Sequence, residues 1–212
     1  MMKNLSILLI HLISFLLLSN QSIAQLGIKA GINFSSLQFI DENLDDFNEE
    51  FITGYQIGAV YHVGLGNKLS FQPEAAFFTS GGKASLGQLV DIENTYNYLM
   101  LNGLINYNLI GNNDGLSLRL TGGVFGGYAL SGNTSSTTAG TSTESDIDFD
   151  QEGFDRSNVG YVFGVGVKLN DFLVSLRASF GVTEIASFDS DFGDGQTTYK
   201  TREFSLIAAY LF

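Results

Sequence analysis

The sequence predicts an all-β protein: an eight-stranded antiparallel up-and-down transmembrane β-barrel with an N-terminal signal peptide. Three observations predict this fold class. A short apolar segment follows the N-terminus, and eight later segments alternate apolar and polar residues with a period of two. Charged residues make up only 15% of the chain and lie mostly between those segments. A typical soluble domain has about 25%.

Residues 1–24 have the pattern of a secretory signal peptide. Lys3 supplies a positive charge, and the fourteen residues LSILLIHLISFLLL (5–18) form an apolar core. The small residues Ser22 and Ala24 precede the expected cleavage site. The apolar core is shorter than the roughly 20 residues of a transmembrane helix. We therefore expect cleavage between Ala24 and Gln25, and one outer-membrane β-barrel domain over residues 25–212.

Eight segments of the mature chain show strand alternation. In the first, LGIKAGINFS, every second residue from Leu26 to Phe34 is apolar, and Lys29 and Asn33 lie on the other face. Such alternation is typical of strands with one apolar face. The eight predicted strands occupy residues 26–35, 51–64, 69–80, 96–109, 116–131, 158–169, 172–183 and 202–212.

Two of these strands need separate comment. The fourth is fairly apolar on both faces, and we favour Leu99, Leu101, Ile105 and Tyr107 as its outward set. The third contains the single proline, Pro73. Because a closed barrel has no free edge to accommodate a missing N–H group, we expect a bulge or a local break there.

The connections alternate between long and short. The long ones cover residues 36–50, 81–95, 132–157 and 184–200, and the short ones cover 65–68, 111–115 and 170–171. The short connections carry Gly, Asn and Asp, which favour tight turns. This order predicts a meander whose two termini share the short-turn side. For an outer-membrane barrel, we expect periplasmic termini and extracellular, acidic long connections.

The distribution of charge favours a membrane barrel over a soluble, lipocalin-like barrel. A soluble barrel needs a charged outer surface, but here the polar face is mainly Gly, Ser, Thr and Asn. Aromatic residues also collect near both ends of the segments, as in the girdles of outer-membrane barrels. The charged and amide side chains on the strands are predicted to form a polar network in the lumen: Lys29, Gln56, Glu74, Arg119, Lys168, Arg177 and Glu203.

This network has two interpretations. It is a selectivity filter if the lumen conducts, or a plug if the side chains pair with one another. Eight strands enclose a space just wide enough for side chains, and an unpaired buried charge is very costly. We therefore favour the plug.

Four stretches carry a resemblance to a known family. They are GIKAGINFSSL (27–37), QPEAAFFTSGG (72–82), RASFGVTEI (177–185) and the aromatic C-terminus. They resemble the outer-membrane β-barrel proteins of Bacteroidota, the "porin family" that includes PorT-like proteins. The resemblance spans the mature chain, implies an eight-stranded barrel and brings no catalytic residues. The fourth predicted strand departs from the family pattern, so its register stays open.

No catalytic or cofactor-binding residue is predicted. His62, the single histidine of the mature chain, lies beside a short turn, where we expect a structural hydrogen bond rather than general-base catalysis. The acidic connections offer weak candidates for metal ligands, but they lack the Gly and Glu that an EF-hand loop needs. These candidates are Asp146, Asp148, Asp150, Asp189 and Asp191.

The remaining expectations concern partners and role. The net charge of −12 argues against nucleic acid. We expect a monomer in contact with outer-membrane lipid, lipopolysaccharide and the barrel-insertion machinery, whose signal would be Phe204, Tyr210 and Phe212. The expected role is structural, in surface interaction or in envelope assembly, without enzymatic activity. A narrow pore is the first alternative, and a lipid-modifying enzyme is the second.

Overall fold

The computed structural model describes residues 24–40, 48–86, 90–112, 115–138, 141–149, 155–183, 185–189 and 196–212. Residues 1–23, nearly all of the predicted signal peptide, lie outside this part of the chain, so cleavage stays a prediction. Within the described residues, no helix is long and apolar enough to cross a membrane.

The described chain forms eleven strands in one antiparallel sheet. They are β1 (Ala24–Ile40), β2 (Asn48–Glu50), β3 (Ile52–Gly64), β4 (Leu69–Leu86), β5 (Val90–Ile110), β6 (Ser117–Thr138), β7 (Thr141–Asp146), β8 (Ser157–Leu169), β9 (Phe172–Gly181), β10 (Ala186–Asp189) and β11 (Gln196–Leu211). Eight of them form a closed ring in the order β1, β3, β4, β5, β6, β8, β9 and β11. Because β11 also pairs with β1, the predicted eight-stranded barrel is confirmed.

The register gives the barrel its stagger. Starting at Ala24, the paired residues around the ring return to β1 at Phe34, ten residues further along (34 − 24 = 10). The path runs through Val63, Phe71, Ile105, Gly122, Phe163, Ala178 and Phe204. Such a stagger tilts the strands and leaves an interior that side chains can fill.

Period-two alternation sets the two faces of the wall. Outward apolar residues such as Ile28 and Val167 are exposed, while the polar residues that follow them, Lys29 and Lys168, point inward and are buried. The outward set favoured for the fourth predicted strand is confirmed, because Leu99, Leu101, Ile105 and Tyr107 are 44–57% exposed.

Pro73 produces the predicted local break. The β3–β4 ladder pairs Val60 with Glu74 and Val63 with Phe71, and skips the residues between them. On its other side, Pro73 pairs normally with Gly103 of β5. Next to this break the alternation of β3 is lost: Val63, which the pattern assigns to the outward face, is buried together with His62.

The predicted strand ends are wrong at one end of the barrel. We call it the long-connection end, and the end with the turns 65–68, 111–116 and 170–171 the short-turn end. At the long-connection end β4, β5 and β6 continue pairing through residues that the sequence assigns to connections. The residues that extend β6, GNTSSTT (132–138), are polar on both faces, and the large apolar residues that extend β4 and β5 are only Leu86, Val90 and Ile92, so no sustained period-two apolar signal marks this part of the wall. The wall therefore extends well beyond the apolar band, and β2, β7 and β10 pair only within this extension.

Candidate functional site: the barrel lumen

The strands bring all seven predicted lumen residues to the inner face. Each is at most 7% exposed, although they come from β1, β3, β4, β6, β8, β9 and β11. Each follows or precedes an outward apolar residue, so the alternation of its own strand aims it inward. Charges that are this deeply buried are costly unless they are paired, because solvent does not compensate them.

Glu74 is the centre of the network. Its carboxylate accepts a hydrogen bond from Lys29 Nζ at 2.6 Å, and Nη1 and Nη2 of Arg177 each donate to it at 2.8 Å. Gln72 Nε2 donates at 2.7 Å and Asn102 Nδ2 at 3.1 Å. Five donors from four strands thus converge on one carboxylate, including a two-bond guanidinium contact of the strong kind.

A second polar group lies nearer the long-connection end. Asn33 Oδ1 accepts from Gln56 Nε2 at 2.6 Å and from Ser205 Oγ at 3.0 Å. Ser80 Oγ donates to Glu203 at 2.6 Å. A cavity of about 20 Å³, lined in part by Gln56, Arg177 and Glu203, separates this group from Glu74. That volume fits about one water molecule.

The short-turn end of the lumen is cationic. Arg119 and Lys168 are buried there, and Arg119 Nη2 lies 3.4 Å from Ser117 Oγ. The Nε and Nη1 atoms of Arg119 have no hydrogen-bond partner among the described residues. His62 Nδ1 lies 3.4 Å from Gln72 Oε1, a long contact that leads back to the Glu74 group.

Sequence reasoning missed an apolar cap at the long-connection end. Buried side chains from the strands meet two residues of the connections, Phe149 and Ile185, in one cluster. The Phe149 ring lies 6.2 Å from the Tyr96 ring, and Arg156 Cζ lies 4.6 Å from its centroid. The two connection residues are among the few apolar positions in largely polar sequence, and this is the signal that could have identified them. Polar and apolar layers therefore fill the described lumen at successive heights.

Outside the lumen, aromatic residues ring the short-turn end. The rings of Phe172 and Tyr210 contact each other with centroids 4.9 Å apart and an interplanar angle of 54°, and the Phe212 ring lies 6.5 Å from that of Tyr210. The Phe212 N–H donates to the Leu26 carbonyl at 2.7 Å, next to the β1–β11 ladder. Phe204 lies at the opposite boundary, 5.9 Å from Phe51. The exposed apolar band between these two girdles is the lipid-facing pattern of outer-membrane barrels.

A family model for the outer membrane protein beta-barrel domain matches residues 19–187. The chain belongs to this family. As an outer membrane β-barrel it lies in the outer membrane, and its exposed apolar band faces lipid. Curated protein sequences give no match.

Several solved outer membrane proteins are similar to this outer membrane β-barrel. The attachment invasion locus protein Ail of Yersinia pestis is 16% identical, with 89% of this chain and 99% of that chain covered and a TM-score of 0.41. OprG of Pseudomonas aeruginosa is also 16% identical, with 90% and 97% covered and a TM-score of 0.46. Neisserial surface protein A is 12% identical, with 89% and 99% covered and a TM-score of 0.41.

The aspartates predicted as weak candidates for metal ligands do not form a metal site within the described part of this outer membrane β-barrel. Asp146 and Asp148 are exposed, Asp189 lies in β10, and Asp150 and Asp191 lie outside the described residues. Among the described residues no three His, Asp or Glu side chains form a group that could hold a metal ion.

An ion-pair cluster lies in the described part of the wall's extension. Lys83 Nζ lies 3.3 Å from Asp91 and 3.5 Å from Glu50, which joins β2, β4 and β5. The hydrogen bond to Asp91 and the two carboxylate charges raise the pKa of Lys83. All three side chains are partly solvated, so the cluster contributes little stability by itself.

Proposed function

We propose that this protein is a non-conducting, non-enzymatic outer-membrane barrel that displays a β-sheet at the cell surface. In this proposal the termini and short turns are periplasmic and the extension of the wall is extracellular. The finer assignment to the PorT-like porin family of Bacteroidota also belongs here, and rests on the sequence resemblance. Phe204, Tyr210 and Phe212 are proposed as the signal for the insertion machinery, and the working state as a monomer in contact with lipid and lipopolysaccharide.

The observation that carries the proposal is the filled lumen. An ion would have to displace the ion pairs of Glu74 with Lys29 and Arg177 and then pass the apolar cap around Phe149. Both barriers consist of packed, buried side chains. Breaking a buried ion pair costs about 3–5 kcal/mol, so spontaneous opening of this layer is expected to be rare.

The absence of enzymatic activity is proposed from the surroundings of His62. A general base needs a nucleophile or a water within hydrogen-bond reach, and usually a third group that orients the imidazole. The partner of His62 is the amide oxygen of Gln72, and its Nε2 has no partner among the described residues. The ring is also buried, at the end of the lumen away from the proposed extracellular side.

Single-channel recording in planar bilayers tests the plug. We expect the purified barrel to give no steady conductance steps, while a sixteen-stranded porin added to the same membrane gives large ones. Steady steps from the pure protein would contradict the plug and would make narrow-pore transport the function. Brief, irregular steps that vanish on further purification would leave the plug intact.

A further inference from the structure

Among the described strands, β7 pairs along one edge only, which leaves its other edge free at the long-connection end. It pairs with β6 alone, from Asn133 with Asp146 to Thr138 with Thr141, and no other described strand pairs with it. All six residues, TSTESD (141–146), are exposed, so the described wall does not cover them. Nearer the apolar band, β8 pairs with the same side of β6, but only up to the pair Tyr128 and Ser157. The other short strand nearby in sequence, β10, pairs with β11 and not with β7. The closed ring therefore becomes an open sheet in the extension.

A free edge is a chemically defined surface. In an antiparallel strand, alternate residues direct their N–H and C=O groups away from the existing neighbour. These groups are satisfied by water or by another strand, and an exposed edge is a template for strand addition. Six residues are about the length of an ordinary strand. In strand addition, main-chain hydrogen bonds supply affinity and alternate side chains supply specificity.

The side chains of β7 restrict the occupant. By alternation, Ser142, Glu144 and Asp146 share one face of the strand, and Thr141, Thr143 and Ser145 share the other. The edge has no lysine or proline, which would block the addition of a strand. It also has no bulky apolar residue, which would attract strands of any sequence. Opposite charges on directly paired residues stabilise a sheet, and like charges destabilise it.

From these observations we propose that the edge of β7 binds an extended protein segment with Lys or Arg at alternate positions, which adds as a further strand. A second copy of this chain is a poorer occupant, because its own β7 brings a further Glu144 and Asp146 and no Lys or Arg to pair with them. The net charge of −12 opposes that pairing as well. The inference rests on the proposed function, because only an extracellular extension meets such a partner.

The test uses a defined probe, a blocked eight-residue peptide of alternating Lys and Val, with a Glu and Val peptide as its counterpart. Added to the full barrel in lipid nanodiscs, the Lys peptide should slow amide hydrogen exchange in residues 141–146 in a saturable way. The Glu peptide should not. The variant E144K/D146K should bind the Lys peptide at least tenfold more weakly.

E93K is the matched control. Glu93 is exposed in the same extension, but its strand is paired on both sides, with Lys83 and with Ser135. Binding should be unchanged in this variant. Three results would overturn the inference. The first is an equal loss of affinity for the Lys peptide in E93K and in E144K/D146K. The others are protection of amide hydrogens outside β7 and no protection at millimolar peptide. A peptide-independent dimer that E144K/D146K strengthens or abolishes would instead identify a second copy as the occupant.

A separate measurement distinguishes failure of this inference from failure of the proposed orientation. The chain contains no cysteine, so Thr143→Cys provides a unique label. A membrane-impermeant maleimide should label T143C on intact cells. Labelling without peptide binding would reject the edge site alone, whereas labelling only after lysis would reject the extracellular placement.

Discussion

At the scale of single residues, Glu74 holds the lumen together. Two buried cations contact the carboxylate of Glu74 in β4: Lys29 from β1, earlier in the sequence, and Arg177 from β9, later in the sequence. The attraction is large because solvent is excluded, but so is the cost of removing the three groups from water. The group around Glu74 is therefore most sensitive to the loss of this carboxylate, which would leave Lys29 and Arg177 as two uncompensated buried charges.

The variant E74Q should destabilise the barrel by about 3–5 kcal/mol, because Lys29 and Arg177 would remain buried without a counter-charge. Urea unfolding in lipid vesicles measures this difference. E93Q, at an exposed position, is the control and should change the free energy of unfolding by less than about 0.5 kcal/mol. Equal stabilities of E74Q and the natural protein would show that solvent reaches the centre of the lumen.

At the scale of elements, the cap depends on a close approach at Gly132 of β6. A Cβ atom there would lie 3.0 Å from Ile147 Cδ1 and 3.1 Å from Phe149 Cζ, so a side chain would push residues 147–149 away. We expect G132V to speed amide exchange in 147–149 at least tenfold without loosening the ring. Hydrogen exchange with peptide-level resolution measures both regions.

Gly126 supplies the control on the same strand. A Cβ added there meets nothing within 4 Å, because this glycine faces outward. G126V should therefore leave exchange in the cap unchanged. If both variants loosened the cap equally, the cause would be a general effect of valine on β6 and not the contact with Phe149.

The elements also show where sequence alone was sufficient. The ring strands were predictable because lipid demands an apolar residue at every second position, as from Ile28 to Phe34 on β1. The extension was not, because TSTESD of β7 is polar on both faces and has no period to detect. Burial of Glu74 followed from alternation, but its pairing with Arg177, 103 residues away in sequence, depends on the stagger of the whole ring. The cap depends on Phe149, which the sequence places in an acidic connection.

At the scale of the whole molecule, positive and negative charges are concentrated at opposite ends of the barrel. Cations dominate the short-turn end of the lumen, while carboxylates are exposed at the long-connection end; among the residues whose burial is described, these are Glu50, Glu93, Glu144, Asp146, Asp148 and Asp155. Between them lies the lipid-facing band, which is almost free of charge. In the proposed orientation the acidic extension stands next to the anionic head groups of lipopolysaccharide, so two negative surfaces meet at this boundary.

Such a boundary is stable only if cations lie between the surfaces. Divalent ions would bridge the carboxylates of the extension and the phosphates of the lipid without a dedicated binding site, which agrees with the dispersed positions of the described acids. We therefore expect EDTA to lower the melting temperature of the barrel in membranes that contain lipopolysaccharide. In phosphatidylcholine vesicles, which lack the second anionic surface, EDTA should have no effect. An equal shift in both lipids would point to a specific protein-bound ion, and no shift in either would show that the extension stands clear of the head groups.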